Sequence, residues 1–404
     1  MHIGRAADAA HLTYCTNIHA GETWDEIFSR ISEHLPAVKA ATSADQPFGL
    51  GLRLSAIATD VLAAPARLAE FQAFLEEGGY YVFTINGFPY GPFHGQRVKE
   101  QVYQPDWSRD ERLVYSDAMA DLLAALLPDG MDGSISTVPG TFKPLASAPG
   151  MVDRITDNLI RHAAKLVDIE RTSGKTIALA LEPEPYCFLE TIEETVRYFE
   201  GHLFGRNAVL RLGELAGLSA PAAETALRRH LGVCYDVCHA AVEYEDPRGS
   251  IEALSAAGIG IPKLQLSAAL RISEVTSKTP AALQAFDEPV YLHQVIERRG
   301  EELIRFLDLP DALAAVDQAI GADQAIGNEW RVHFHVPIFL DELEHFSTTQ
   351  DFLRAILELH RKQPISPHLE VETYTWDVLP EAYRGVEVST AIARELNWVR
   401  NALS

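Results

Sequence analysis

The stretch His368-Leu-Glu-Val-Glu-Thr373 places Leu369 and Val371 on one face of a strand and His368, Glu370 and Glu372 on the other, because side chains in a strand alternate with period two. The same division recurs upstream. In Pro262-Lys-Leu-Gln-Leu-Ser267, Leu264 and Leu266 oppose Lys263, Gln265 and Ser267. In Arg331-Val-His-Phe-His-Val336, Val332, Phe334 and Val336 oppose Arg331, His333 and His335, and in Thr176–Glu182, Ile177, Leu179 and Leu181 oppose Ala178, Ala180 and Glu182. An open sheet covered by helices on both faces reads as near-continuous apolar strands, so acids, imidazoles and amides gathered on one side need another architecture. A closed (β/α)8 barrel supplies it. Helices cover the aliphatic outside, and the polar inner residues converge at the mouth formed by the C-terminal ends of the strands.

Nine runs have strand character: His11–Ile18, Phe48–Ser55, Tyr80–Asn86, Gly133–Val138, Thr176–Glu182, Leu231–Asp236, Pro262–Ser267, Arg331–Val336 and His368–Thr373. Amphipathic stretches separate them, three opened by a capping-box pattern at Thr23–Glu26, Ser108–Glu111 and Thr191–Glu194. Nine candidates for eight places imply an insertion, placed at about 271–340 between the seventh and eighth barrel strands. Arg331–Val336 is then the supernumerary strand, pairing with Glu288–Val295, and His368–Thr373 completes the barrel. No linker, repeat or low-complexity segment divides residues 1–404, which read as one domain. The turn Asn17-Ile-His-Ala-Gly-Glu22 is not the Gly-rich phosphate loop of a dinucleotide-binding fold.

Composition narrows the function. The 404 residues are 47% hydrophobic and 23% charged, enough for a large core. Asp+Glu 57 against Lys+Arg 34 gives a net charge of -23, which repels a phosphate backbone and excludes nucleic acid as a partner. Cys15, Cys187, Cys234 and Cys238 form neither a disulfide framework nor a zinc knuckle, which suits a reducing compartment. The run Met1–Asp8 lacks the apolar core of a signal peptide, and no apolar run reaches the roughly 18 residues of a membrane span. A cytoplasmic protein, not embedded in a membrane, is expected.

The chemistry lies at the strand ends. Glu182 and Glu184 stand in Leu181-Glu-Pro-Glu-Pro185, Asp236 and His239 in Cys234-Tyr-Asp-Val-Cys-His239, with Gln265, Glu370 and Glu372 on the later strands. Carboxylates that converge in one cavity repel and lose hydration, so they need a cation, a shared proton or other partners. Two or three of them with an amide or imidazole make an oxygen-rich site suited to Mn²⁺, Mg²⁺ or Co²⁺, with Zn²⁺ also open. Lys263 inside a barrel needs a carboxylate partner. The loop Asn86–Gly95 offers Tyr90, Phe93 and His94 to stack on a ligand, and Lys143 is a candidate for an anionic one.

These residues resemble the xylose isomerase-like TIM barrels, which include sugar isomerases, ketose 3-epimerases and endonuclease IV-type phosphodiesterases. The likeness is closer to a bacterial metabolite-traffic family among them. It rests on His11-Leu-Thr-Tyr-Cys-Thr-Asn-Ile-His19, Gly133-Ser-Ile-Ser-Thr-Val-Pro-Gly140, Leu181-Glu-Pro-Glu-Pro185, Lys263-Leu-Gln-Leu-Ser-Ala-Ala-Leu270, His333-Phe-His-Val-Pro337 and His368-Leu-Glu-Val-Glu-Thr-Tyr-Thr-Trp376. The resemblance implies metal ligands at the ends of the fifth to eighth strands, which fall on Glu182, Asp236, Gln265 and Glu372. Gln265 stands where the epimerases have His, so either a weaker amide ligand holds that place or His335 from the extra strand completes the shell. It implies too that His239, three residues after Asp236, and Arg271, six after Gln265, touch substrate hydroxyls. Lys263, His333 and Asn86 complete the expected substrate-binding set.

Two activities follow from the resemblance. One is a divalent-metal-dependent isomerase or epimerase working through an enediolate, with Glu182 and Glu372 on opposite sides of the cavity as the acid/base pair. The other is a traffic protein that acts on or hands over a small polar biosynthetic precursor, in company with other proteins of the same export pathway. A phosphodiesterase conflicts with the charge balance. An amidohydrolase conflicts with the position of His333-Phe-His335, too near the C-terminus for a barrel to follow.

Overall fold

A computed structural model describes residues 1–3, 10–95, 97–321, 327–381 and 384–404; most of the run 1–8 and part of the insertion lie outside them. The strands are β1 (His2–Ile3), β2 (Ala10–Tyr14), β3 (Phe48–Arg53), β4 (Tyr80–Asn86), β5 (Gly133–Thr137), β6 (Ile177–Leu181), β7 (Leu231–Asp236) and β8 (Gly260–Leu266). An excursion follows, and then β15 (His368–Val371). The order β1-β2-β15-β8-β7-β6-β5-β4-β3 is parallel apart from β1. Side chains help close the last seam, between β2 and β3. Beside one parallel bridge, Cys15 to Gly51, Thr13 Oγ1 donates to the Gly49 carbonyl at 2.7 Å and accepts from the Gly51 amide at 3.1 Å. Thr16 Oγ1 accepts from the Arg53 amide at 2.8 Å. The result is an eight-stranded (β/α)8 barrel, β2 to β8 with β15.

The period-two pattern holds around this barrel. Leu264, Leu266, Ile177, Leu179, Leu181, Leu369 and Val371 are buried in one apolar cluster. Inside the barrel, Lys263 Nζ lies 2.5 Å from Glu370 Oε1 and donates to Ser136 Oγ at 3.1 Å. Lys263 therefore fills the barrel interior rather than the substrate position expected for it. A Cβ on Gly51 would stand 1.9 Å from Glu370 Oε2, so glycine at this position makes room for the buried carboxylate.

The capping boxes at Thr23 and Thr191 are formed, each hydroxyl accepting from the amide of the glutamate that reaches back to it. The third is not. The helix Asp110–Leu126 has Arg109 at its cap, while the Ser108 amide and hydroxyl both donate to Asp106 Oδ1. A local Asx turn from Asp106 competes with the capping geometry.

The excursion between β8 and β15 builds a second, antiparallel sheet. Its strands are β9 (Leu270–Ile272), β10 (Val295–Arg299), β11 (Glu302–Phe306), β12 (Glu329–Val332), β13 (Glu342–Leu343) and β14 (Phe346–Thr348), in the order β11-β10-β12-β9-β14-β13. The expected pairing of 288–295 with 331–336 is displaced along the chain. Val295 opposite Val332 begins the β10–β12 ladder, Glu288–Gln294 is not a strand, and β12 stops at Val332. The reason is a tight turn in which the Phe334 amide donates to the Val332 carbonyl at 2.8 Å. Beyond Val332 the alternation survives without a ladder: Phe334 and Val336 enter the core, and His333 and His335 do not join it. Among the described residues, no helix is long and apolar enough to cross a membrane.

Candidate metal centre

The site forms at three strand ends, two of which stop short of their expected bounds. Glu182 is the first residue past β6, Asp236 ends β7, and Glu372 is the first residue past β15. Pro183 has no amide for the ladder and stops β6 there. The ligand oxygens of Glu182, Asp236 and Glu372 lie within 4.8 Å of one another, and all three residues are buried. Asp236 Oδ1 accepts from the His239 amide at 3.0 Å and from Ser267 Oγ at 2.8 Å, capping the helix Val237–Val242, while Oδ2 has no partner. Glu372 Oε1 accepts from Asn17 Nδ2 at 2.7 Å and Asn86 Nδ2 at 3.1 Å. Glu182 Oε2 is also without a partner.

Burial, then Glu372 and Asp236, push the Glu182 carboxyl well above the ordinary carboxylate range. Burial, then Asp236 and Glu370, push Glu372 up to about 8. Protonation or a cation relieves such a cluster. The orphaned oxygens of Glu182 and Asp236 form an all-oxygen donor set that fits a divalent ion.

Gln265 plays a different part from the ligand expected. Its Oε1 is 3.0 Å from Cys234 Sγ, and its Nε2 is buried without a hydrogen-bond partner. His335 lies between two groups: Nδ1 is 3.0 Å from the Glu372 carbonyl, and Nε2 is 3.3 Å from His333 Nε2. Burial holds His335 down at about 4 against the pull of Asp236, and burial with the neighbouring His239 and His335 holds His333 far below its usual range.

Above the acids lies a cleft of about 530 Å³, its mouth included. Asn17, Asn86, Glu182, Glu184, His239, His333 and Glu372 supply its polar lining, and Phe88, Phe93, Tyr103, Tyr291, Leu292 and Tyr374 its apolar walls. The loop 86–95 thus contributes Phe93 as expected. Tyr90 instead packs on Tyr115 and Arg112, and His94 Nε2 bonds to the Asn17 carbonyl at 2.7 Å. Lys143 pairs with Glu190 and Glu194. Arg271 leaves the barrel on β9, donating to Ser347 Oγ at 3.1 Å and Asp351 at 2.8 Å, so the structure does not bring it to the cleft.

Among the polar residues of the site, Asn17, Tyr103 and Gln294 escaped the sequence reading. Asn17 sits in the turn Thr16–Ile18 after β2, and a polar residue just past a strand end was its available signal. Tyr103 donates to Glu184 Oε1 at 2.7 Å, and Gln294 Nε2 donates to Tyr103 Oη at 3.0 Å. Both come from long connections, where no periodicity points inward.

Glu395, on the helix Val388–Leu403, braces the chain beside the site: its Oε1 accepts from Thr373 Oγ1 at 2.8 Å and the Ile338 amide at 3.1 Å. Burial pushes its carboxyl up to about 7 despite those bonds. The folded protein therefore retains a proton that the unfolded chain releases near 4.5. Stability from this group is complete at low pH and is lost as pH rises through about 7. Glu395→Gln keeps both bonds on its carbonyl oxygen. Relative to the parent, its unfolding free energy in urea should improve by about 3 kcal/mol between pH 5 and pH 8; an unchanged difference rejects the neutral carboxyl.

No family model and no curated protein matches the chain. Among solved structures it is similar to an L-ribulose 3-epimerase (11% identity, TM-score 0.47, covering 98% of this chain and 94% of that one). It is also similar to the IolI protein with a binding zinc atom (12%, 0.45, 98% and 98%). A third is a xylose isomerase domain protein from Alicyclobacillus acidocaldarius subsp. acidocaldarius (12%, 0.45, 98% and 98%). The strand pairing described above establishes the barrel independently of these likenesses.

Proposed function

We propose that Glu182, Asp236 and Glu372 hold a divalent cation at the floor of the cleft, and that the protein moves a proton at a carbon of a small hydroxylated metabolite, as a sugar isomerase or epimerase does. The unpartnered, buried oxygens of Glu182 and Asp236 carry this reading. When bound, the cation polarises the metabolite's oxygens and eases removal of the neighbouring proton. Asn17 and Asn86 fix Glu372 Oε1. Glu372, ionised once it holds the cation, takes the proton from the metabolite's carbon and returns it. Glu182, buried beside it, is the partner acid, and the aromatic walls exclude water from the floor. His239 and His333 line the same cleft and meet the substrate's hydroxyls.

A second reading is favoured by those walls. Phe88, Phe93, Tyr291 and Leu292 suit a ligand with an apolar body and a polar head. On the motifs quoted above, the chain is then an EboE-like metabolite-traffic protein, cytoplasmic, handing a biosynthetic precursor to other proteins of an export pathway. The test uses the full chain loaded with Mn²⁺ and a panel of ketoses, inositols and phenolic or prenylated precursors in D₂O. A raised melting temperature together with deuterium entering a C–H position supports the isomerase. Stabilisation without exchange rejects it in favour of handover, and no stabilisation by any hydroxylated compound rejects both.

A further inference from the structure

One carboxylate of the cleft stands apart from the three at its floor. Glu184 is buried, and its Oε1 accepts from Tyr103 Oη at 2.7 Å and from Gln294 Nε2 at 3.3 Å. Both donors are neutral, so they fix the group in place without balancing its charge. His333 Nδ1 lies 3.7 Å from the same oxygen but is turned to Gln294 Oε1, at 2.7 Å. A buried carboxylate held this way still calls for a positive partner.

The protein does not supply one. Among the described residues that line the cleft, Lys99 is the one lysine or arginine. Its Nζ is 2.5 Å from Asp308 Oδ2, and both side chains are largely buried, so turning to a ligand would strand Asp308. The Lys99 and Val98 amides also donate to the Val290 carbonyl, at 3.1 and 2.8 Å, which holds this stretch of chain in place. Arg53, 5.8 Å from the Phe93 ring, is bound to Glu22 and to the Gly21 and Gly91 carbonyls. His239 and His333 bring their Nε2 atoms within 3.1 Å of each other, so they cannot both be cations. A divalent ion at the floor would offset two of the three charges there and none of that on Glu184.

The walls add to this field. Phe93, Tyr291 and Tyr374 pack together at centroid separations of 5.0–5.3 Å and all line the cleft. Aromatic rings attract a cation most strongly where water is excluded. The net charge of -23 draws cations toward the chain as a whole.

We propose that the metabolite taken by this cleft carries an amino group, as an amino sugar or an aminocyclitol does, and that Glu184 receives it as an ammonium. An aliphatic amine is protonated at neutral pH. The ammonium completes the shell that Tyr103 and Gln294 begin, and the aromatic wall covers it. A phosphate or carboxylate in the same place meets Glu184 and no free cation. The inference rests on the reading above that a small hydroxylated metabolite binds here, and it names the chemical class.

Calorimetric titration of the full chain loaded with Mn²⁺ tests it at pH 7. D-glucosamine is compared with D-glucose and D-glucose 6-phosphate, and scyllo-inosamine with scyllo-inositol. At least one amine should bind about tenfold more tightly than its hydroxyl counterpart, and the phosphate should not bind. In Glu184→Gln, whose carbonyl oxygen still accepts from Tyr103 and Gln294, Mn²⁺ content should stay parental and the preference for the amine should disappear. The inference is overturned if neither amine binds more tightly than its counterpart, if the phosphate binds as well as the amine, or if the preference survives in Glu184→Gln. Deuterium exchange into the same compounds judges the isomerase separately. A preference for the amine without exchange upholds Glu184 and rejects the isomerase; exchange into glucose with no such preference does the reverse. The parental comparison needs no substitution, so it decides even where the variant fails to fold.

Discussion

Glu370→Gln should lower the unfolding free energy by about 3–5 kcal/mol, whereas Lys263→Met/Glu370→Met should fold with nearly parental stability. The Lys263 ammonium and the Glu370 carboxylate are fully buried and 2.5 Å apart, with Ser136 Oγ as the further partner of the lysine. Burial by itself would lower the affinity of Lys263 for its proton, and Glu370 more than reverses that. Removing the carboxylate strands a cation inside the barrel; removing both charges leaves two flexible apolar chains of similar length. Because no solvent reaches the pair, added salt should hardly change either result. Equilibrium urea unfolding measures the difference, and a loss under about 1 kcal/mol in Glu370→Gln would refute the interior role. The double variant should bind as much metal as the parent, which separates filling the interior from touching a ligand.

The barrel was readable because a closed sheet has two chemically different faces, and each inner strand shows that difference every second residue. Lys263, Gln265 and Glu370 could be placed inside from alternation alone. Where alternation misled, hydrogen bonding was the cause. His333-Phe-His335 alternates like a strand, yet its chain turns after Val332, so it delivers imidazoles to the barrel mouth rather than a ladder. The family resemblance implies a substrate contact for Arg271, but the chain leaves the barrel after Gln265 and β9 carries Arg271 to Ser347 and Asp351. Asn17 and Asn86 hold one and the same oxygen of Glu372, although 69 residues separate them in the chain. No local pattern encodes that meeting; it follows from barrel closure. Likewise Gln294 and Tyr103 reach Glu184 from connections whose length and path depend on tertiary packing.

Glu182→Gln and Glu372→Gln should act in opposite directions on the metal-free and metal-bound protein. Without a cation, Glu182, Asp236 and Glu372 share a small buried space, and the raised carboxyls of Glu182 and Glu372 measure the cost. Replacing either by an amide removes a carboxyl that the fold must hold protonated and the unfolded chain would ionise, so at neutral pH the stripped variant should melt above the stripped parent. With a cation the same change removes a ligand, and affinity should fall by about 100-fold or more. Acidity adds a second signature. Glu372 near 8 must surrender its proton when a cation binds, so parental affinity should rise about tenfold per pH unit for that proton and level off above about pH 8. In Glu372→Gln this part of the slope should vanish, while in Glu182→Gln it should persist, because Asp236 and burial still act on Glu372. Calorimetric titration with Mn²⁺ between pH 6 and pH 9 reads both effects, and stoichiometric metal retained by both variants would show that the ion is held elsewhere.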